Sequence, residues 1–189
     1  LGIPDSEFNV PKMVLTQEEI RVLILSKLRL HHGVTFWDIG AGSGSVSIEA
    51  DNLLKNGRVF AVEKEPERLN ILRENLNRFR SRKVIVVSGE APDCLTSLPD
   101  PDRVFIGGAG GNLLEVLEMV DQRLLSNGRI VVNATALDTI IGTSEFFERS
   151  GYQVELTTVN IARTNPDTEY KVFDSLNIAY IIAAEKVSY

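Results

Sequence analysis

Val34-Thr35-Phe36-Trp37-Asp38-Ile39-Gly40-Ala41-Gly42-Ser43-Gly44 decides the fold of this chain, and Ser45-Val46-Ser47-Ile48-Glu49-Ala50 continues it. A strand-forming apolar run ends at Asp38, and glycines at 40, 42 and 44 then open an amphipathic stretch. That is the strand, tight turn and helix start of a nucleotide-binding α/β unit. Glycine in such a turn permits positive φ and lets a ligand approach where a Cβ would collide, and the helix start behind it carries unpaired N–H groups. A ligand is expected against Gly40, Ala41, Gly42, Ser43 and Gly44.

Two acids choose between ligands. The dinucleotide fingerprint G-x-G-x-x-G wants its third small residue one place later, at Ser45, and tolerates no negative charge beside a pyrophosphate. Asp38 lies two residues before the first glycine. Its carboxylate repels phosphate but can accept hydrogen bonds, directly or through water, from an ammonium group. S-adenosylmethionine has a sulfonium, an ammonium and a ribose, and no phosphate. The next strand, residues 58–63, ends at Glu63, where a carboxylate is placed to hold both ribose hydroxyls.

Outward from this turn the chain reads as alternating strands and helices. Thr16-Gln17-Glu18-Glu19 has the form of a capping box, predicting a helix from Thr16 with Ile20, Leu23, Ile24 and Leu28 as its buried stripe. His31-His32-Gly33 is the turn into the first strand. The helix after the glycine turn runs to about Leu54, with Gly57 as its cap. Pro66 opens a helix that buries Leu69, Leu72, Leu76 and Phe79, while Glu67, Arg68, Arg73 and Arg78 form a solvated face. Residues 83–88 form an apolar strand, expected to be covered on both faces. Gly89-Glu90-Ala91-Pro92 follows, and Glu90 and Ala91 are placed to meet an adenine.

Strand four, residues 102–106, runs into Gly107-Gly108-Ala109-Gly110-Gly111, a loop that lets a bulky ligand pass close to backbone or lets the loop move. A helix capped by Asn112 and Glu115, a strand at 130–133, a helix at about 137–150 and two long strands, 152–162 and 177–187, complete the chain. Five βα units followed by a strand pair make an α/β fold: a doubly wound, mostly parallel, Rossmann-like seven-stranded sheet with a C-terminal antiparallel strand. We expect one domain, residues 1–189, with residues 1–15 as an N-terminal arm.

With 189 residues, 43% hydrophobic and 24% charged, the chain is globular in composition, and no apolar run is long enough to span a membrane. The net charge of −6 argues against nucleic acid as a partner. Cys94 is the one cysteine, so neither an intrachain disulfide nor a cysteine metal site is expected, which suits the cytoplasm. No metal site is expected at His31-His32. No signal peptide is visible, and Leu1 in place of methionine suggests a trimmed start or a domain of a longer chain.

Taken together these residues resemble the class I S-adenosylmethionine-dependent methyltransferases, and more closely the decarboxylating precorrin-6B (or cobalt-precorrin-6B) C-15 methyltransferases of cobalamin biosynthesis. The likeness spans nearly the whole chain. It is carried by Gly2-Ile3-Pro4-Asp5 with Phe8, by Thr16-Gln17-Glu18-Glu19-Ile20-Arg21, by residues 37–46, by Gly89-Glu90-Ala91-Pro92, by residues 105–111 and by Asn133-Ala134. Ala41 stands where the family commonly has another residue, and residues 163–175 match less well. The resemblance implies that Thr16, the turn from Gly40 to Gly44, Glu63 and Ala91 contact the cofactor. It also implies that a tetrapyrrole lies near Gly107, Gly108, Asn133 and Arg163, and that the protein is a homotetramer, fused to or cooperating with a C-5 methylating enzyme. Lys12, Lys171 and Arg163 are candidates to hold substrate carboxylates. No catalytic side chain is singled out.

Other readings stay open from the residues alone. A class I enzyme acting on tRNA or on isoaspartyl protein shares the core, and a non-catalytic cofactor-binding subunit would carry the same turn. An amino-methylating nucleic-acid enzyme is weakened by Ile106-Gly107-Gly108-Ala109, where an Asn/Asp-Pro-Pro-Tyr turn would stand. Asp38 and Ser45 disfavour an NAD-dependent oxidoreductase.

Overall fold

A computed structural model describes residues 1–10, 15–109, 111–164 and 172–187. Its elements are α1 (Glu18–Leu28), β1 (Thr35–Ile39), α2 (Ser45–Leu53), β2 (Arg58–Glu63), α3 (Pro66–Phe79), β3 (Val84–Ser88), β4 (Arg103–Ile106), α4 (Leu113–Arg123), β5 (Arg129–Ala134), α5 (Leu137–Arg149), β6 (Gln153–Val159), β7 (Ala162–Thr164), β8 (Phe173–Ser175) and β9 (Ala179–Glu185). Seven strands form one sheet in the order β3-β2-β1-β4-β5-β9-β6. The first five in this order are parallel, and β9 runs antiparallel between β5 and β6. This is the doubly wound sheet expected from the sequence.

The period-two alternation of the strands divides the core. Trp37, Ile39, Val104, Ile106, Ile130 and Val132 face the helices that carry Val116, Leu117, Val120, Phe146 and Phe147. Phe36, Phe105, Val131, Ile181 and Ala183 face the other way, onto Ile20, Ile24, Leu28, Val46 and Ala50 of α1 and α2. Asp38 shares the parity of Phe36, so the strand itself turns this carboxylate towards the first turn of α2. Leu69, Leu72 and Leu76 of α3 form a further cluster with Ile48, Ala61 and Phe8 of the arm.

Several local expectations are corrected. α1 starts at Glu18 with Gln17 at its cap and no side-chain capping bond, so the Thr16–Glu19 box does not form. Glu19 is drawn away by Arg163, which donates to both of its carboxylate oxygens. Leu54 closes α2 in extended backbone, so Gly57 is no left-handed cap. Instead, a Cβ at Gly57 would come within 2.6 Å of the Val34 carbonyl. Asn112 does precede α4, without a side-chain bond. β3 is an edge strand and Ile85 is 43% exposed, so it is not covered on both faces. The polar stretch between the last two long strands holds a small antiparallel ribbon, β7–β8, that periodicity does not reveal.

Candidate active site

Strand order reverses between β1 and β4, and ligands of doubly wound sheets lie at the carboxyl ends of strands at such a switch point. A cavity of about 710 Å³ lies there. On one side it is lined by Gly40, Ala41 and Gly42 of the glycine turn, by Glu63, Lys64, Glu65 and Arg68 after β2, and by Gly89, Glu90 and Ala91 after β3. Gly107, Gly108 and Ala109, Asn133 and Thr135, and Asn177 and Ala179 line the other. Leu15, Thr16, Gln17 and Ile20 form a third wall.

The glycine turn is fixed by the chain's own packing. Gly40, Gly42 and Gly44 have φ of 76°, 55° and 79°, in the left-handed region. A Cβ on Gly40 would meet the Gly108 carbonyl at 2.4 Å, and one on Gly44 would meet Leu72 Cδ1 at 2.3 Å. At these two positions glycine is demanded by neighbouring chain, not by the space a ligand would need. The Gly40 and Ala41 amides both donate to the Val62 carbonyl at 2.9 Å.

Glu63 binds the turn from the neighbouring strand. It is 3% exposed; Oε2 accepts the Gly42 amide at 2.9 Å, and Oε1 accepts the amides of Lys64 and Glu65 at 2.9 and 3.0 Å. A carboxylate has about four acceptor positions, so three amides leave about one for a ligand.

Asp38 does not line the cavity; it is fully buried behind the turn. Ser47 of α2 donates to Oδ2, and Oδ1 has no partner among the described residues. Burial raises its pKa from 3.8 to about 7, against the Ser47 hydrogen bond, and the nearby Glu63 carboxylate adds to the rise. Ser43 and Gly44 are likewise behind the surface: Ser43 is buried, and its carbonyl accepts from Asn75 Nδ2 at 3.0 Å.

At the rim Lys64 Nζ lies 2.8 Å from Glu90 Oε1, bridging the loops after β2 and β3. On the opposite side Asn133 Oδ1 is buried without a partner among the described residues. Arg163 does not line the cavity; it is tied to Glu19 and lies 3.6 Å from Asp5 Oδ2. Lys12, Gly110 and Lys171 lie outside the described residues. Sequence reasoning missed Gln17, Lys64, Glu65, Arg68, Thr135 and Asn177. Lys64 and Glu65 could have been found as the residues following the acid at a strand end, whereas Arg68 reads as part of a wet helix face, and Asn177 enters only because β9 inserts beside β5.

Glu63, Glu65 and Glu90 outnumber Lys64 and Arg68 among the lining residues around the turn, an environment that opposes a phosphate and suits a cationic ligand. The comparisons with known proteins agree with this geometry. The sequence pattern of the precorrin methyltransferase domain matches residues 8–183. The chain is 38% identical, over 98% of its length and 97% of the relative's, to a protein of Sulfurisphaera tokodaii named probable cobalt-precorrin-6B C(15)-methyltransferase (decarboxylating). Its structure resembles that of a precorrin-6y C5,15-methyltransferase from Geobacter metallireducens, with a TM-score of 0.95, 53% identity and 98% of each chain covered. It also resembles a precorrin 8w decarboxylase of Methanobacterium thermoautotrophicum, with a TM-score of 0.90, 32% identity and 96% and 98% of the two chains covered. Sheet, glycine turn and sequence pattern together make this chain a member of the precorrin methyltransferase domain family, on the class I methyltransferase fold.

Proposed function

We propose that this chain binds S-adenosylmethionine in the cavity and moves its methyl group to C-15 of a precorrin-6B-type tetrapyrrole, with decarboxylation of the ring C acetate. The observation that carries the cofactor is the acidic cradle: Glu63 holding the turn and Asp38 behind it with an unpartnered oxygen. When bound, the cofactor supplies an electrophilic methyl group on a sulfonium. Gly40 to Gly42 give it a backbone surface, and Glu63 offers its remaining acceptor position to a ribose hydroxyl. Glu90 and Ala91 border the adenine, Asp38 balances the ammonium through the turn or through water, and Thr16 closes the third wall.

The tetrapyrrole is assigned to the side of Gly107, Gly108 and Asn133. Methyl transfer needs the carbon nucleophile held in line with the S–CH₃ bond, so orientation and exclusion of water can do most of the work. No strong base is needed. Breaking the C–CO₂⁻ bond would leave its electron pair in the conjugated macrocycle, and C-15 would take up the methyl group that the cofactor supplies when bound. A proton shift within the macrocycle then completes the methyl group left on ring C. Asn133 borders this side with a buried amide oxygen able to accept a ligand N–H.

The same reading takes residues 1–189 as one domain with residues 1–15 as its arm, working in the cytoplasm as a homotetramer beside a C-5 methylating partner. Exposed apolar side chains on β6, Val154 and Leu156, and on the ribbon, Phe173, support self-association. The C5,15 activity in the Geobacter relative's name supports the second methylating function. The test is to incubate the protein with methyl-labelled S-adenosylmethionine and, separately, a precorrin-6B-type tetrapyrrole, tRNA and an isoaspartyl peptide. Label entering the tetrapyrrole together with loss of CO₂ is expected. Label in tRNA or peptide alone, or binding without turnover, would replace this reading.

A further inference from the structure

Two stretches that carry the resemblance, Gly2-Ile3-Pro4-Asp5 and Thr16-Gln17-Glu18-Glu19-Ile20-Arg21, converge on one buried cation. Arg21 is fully buried, and Glu49 of α2 is 1% exposed. Arg21 Nε donates to Glu49 Oε1 at 2.6 Å, Nη1 to Asp5 Oδ1 at 3.2 Å and to the Thr16 carbonyl, and Nη2 to the Ile3 carbonyl. The guanidinium also lies over the Phe8 ring, 4.9 Å from its centroid. Glu49 in turn accepts the amides of Gly2 at 2.7 Å and of Ile3 at 3.1 Å. A second buried side chain, Asn75 of α3, accepts the Asn9 amide at 2.9 Å and donates to the Ser43 carbonyl in the glycine turn at 3.0 Å.

Stability alone does not call for this arrangement. Replacing both members of a buried ion pair with apolar groups of similar volume is often neutral or stabilising. Two apolar side chains could hold α1 on α2, but they could not aim hydrogen bonds at two carbonyls and two amides of separate segments. The planar fork of arginine can, because its donors point in fixed directions. What the pair supplies is direction: it fixes the arm, the helix that begins at the glycine turn, and the backbone of Thr16 in the cavity wall. We propose that Arg21 is a positioning residue, which with Glu49 seats residues 15–17 as a wall of the cofactor site without touching the cofactor.

This inference rests on the cofactor reading above, so wild-type protein is titrated alongside every variant. In Arg21→Met/Glu49→Leu the pair becomes apolar, and the Ile3 and Thr16 carbonyls and the Gly2 and Ile3 amides lose these side-chain partners, so the melting temperature should fall while the protein still folds. Calorimetric affinity for S-adenosylmethionine, measured well below melting, should fall by about tenfold or more. Its KM should rise while kcat at saturating cofactor stays within about threefold, and residues 1–15 should become cleavable by protease. Arg21→Lys keeps the buried cation but not the fork, and should give an intermediate loss of affinity with a smaller fall in melting temperature. If the double variant does not fold, Arg21→Lys decides. Wild-type affinity in a folded double variant, or in Arg21→Lys where the double variant is unfolded, would make the pair a plain packing device and overturn the proposal. Failure of wild-type protein to bind the cofactor would instead overturn the reading of the site.

Discussion

On the side of β1 and β2 the cavity is walled by backbone held on several bonds, whereas on the side of β4, β5 and β9 the described residues leave open space beside Gly108 and a buried amide oxygen on Asn133. Val62 holds two amides of the glycine turn, Glu63 holds a third, and Asn75 holds the Ser43 carbonyl. Opposite, among the described residues, a Cβ at Gly108 would meet nothing within 4 Å and Asn133 Oδ1 has no partner. The contrast suits a cofactor of fixed shape on one side and a large macrocycle on the other. A preorganised wall costs nothing to order when the ligand arrives, and an open one leaves room for bulk.

The contrast can be broken most severely at its tightest point. Gly40→Ala puts a Cβ against the Gly108 carbonyl in a left-handed residue, and should destabilise by more than about 3 kcal/mol in urea unfolding. A near-wild-type midpoint would mean the two loops are not in contact.

Asp38 gives the next largest effect. Its raised pKa means the folded state retains a proton that the unfolded state has lost, so the stability this group contributes falls as pH rises from about 4 to about 7 and is gone above that. Asp38→Asn should therefore be more stable than wild type at pH 8, by on the order of 3 kcal/mol, with the difference vanishing near pH 4. Cofactor binding should show the opposite sign. An ammonium favours the ionised acid, so wild-type affinity should rise with pH up to about 7, with protons released on binding. Asp38→Asn should bind more weakly and lose that dependence. Calorimetry in buffers of different ionisation heat reads both, and pH-independent binding by the wild type would separate Asp38 from the cofactor.

Glu63→Gln keeps one acceptor oxygen and replaces the other with an NH₂ that faces backbone donors. It should weaken the cofactor by about 1.5–3 kcal/mol, the range for hydrogen bonds to a charged group. An unchanged dissociation constant would show that holding the turn is the whole role of the acid. At the small end, Gly108→Ala should leave stability within about 0.5 kcal/mol, because its Cβ meets open space and the residue is not left-handed.

The tight half of the cavity is also the half legible in sequence. Strand, glycine turn and following acid are local in the chain, and each is fixed by backbone demands that few residue types meet. What escaped depends on which segments meet in space. The apolar run at 84–88 reads alike at the centre and at the edge of a sheet, and only strand order leaves Ile85 exposed. Thr16 and Glu19 have the spacing of a capping box, but Arg163, far along the chain, takes the glutamate. Arg163, a candidate to hold a substrate carboxylate, is paired with Glu19. At the meeting of the two loops the left-handed residue is Gly40, whose Cβ would strike the Gly108 backbone, a contact between segments far apart in the chain.

The division of the cavity is tested most directly by Gly108→Val, measured for cofactor affinity by calorimetry and for methylation and CO₂ release in one single-turnover experiment. The side chain adds bulk on the macrocycle side without strain at its own backbone. Cofactor affinity should stay within about threefold while methylation and decarboxylation collapse together. Equal loss of cofactor binding would show that the loop serves the cofactor, and loss of methylation with decarboxylation intact would contradict a single cavity for both reactions.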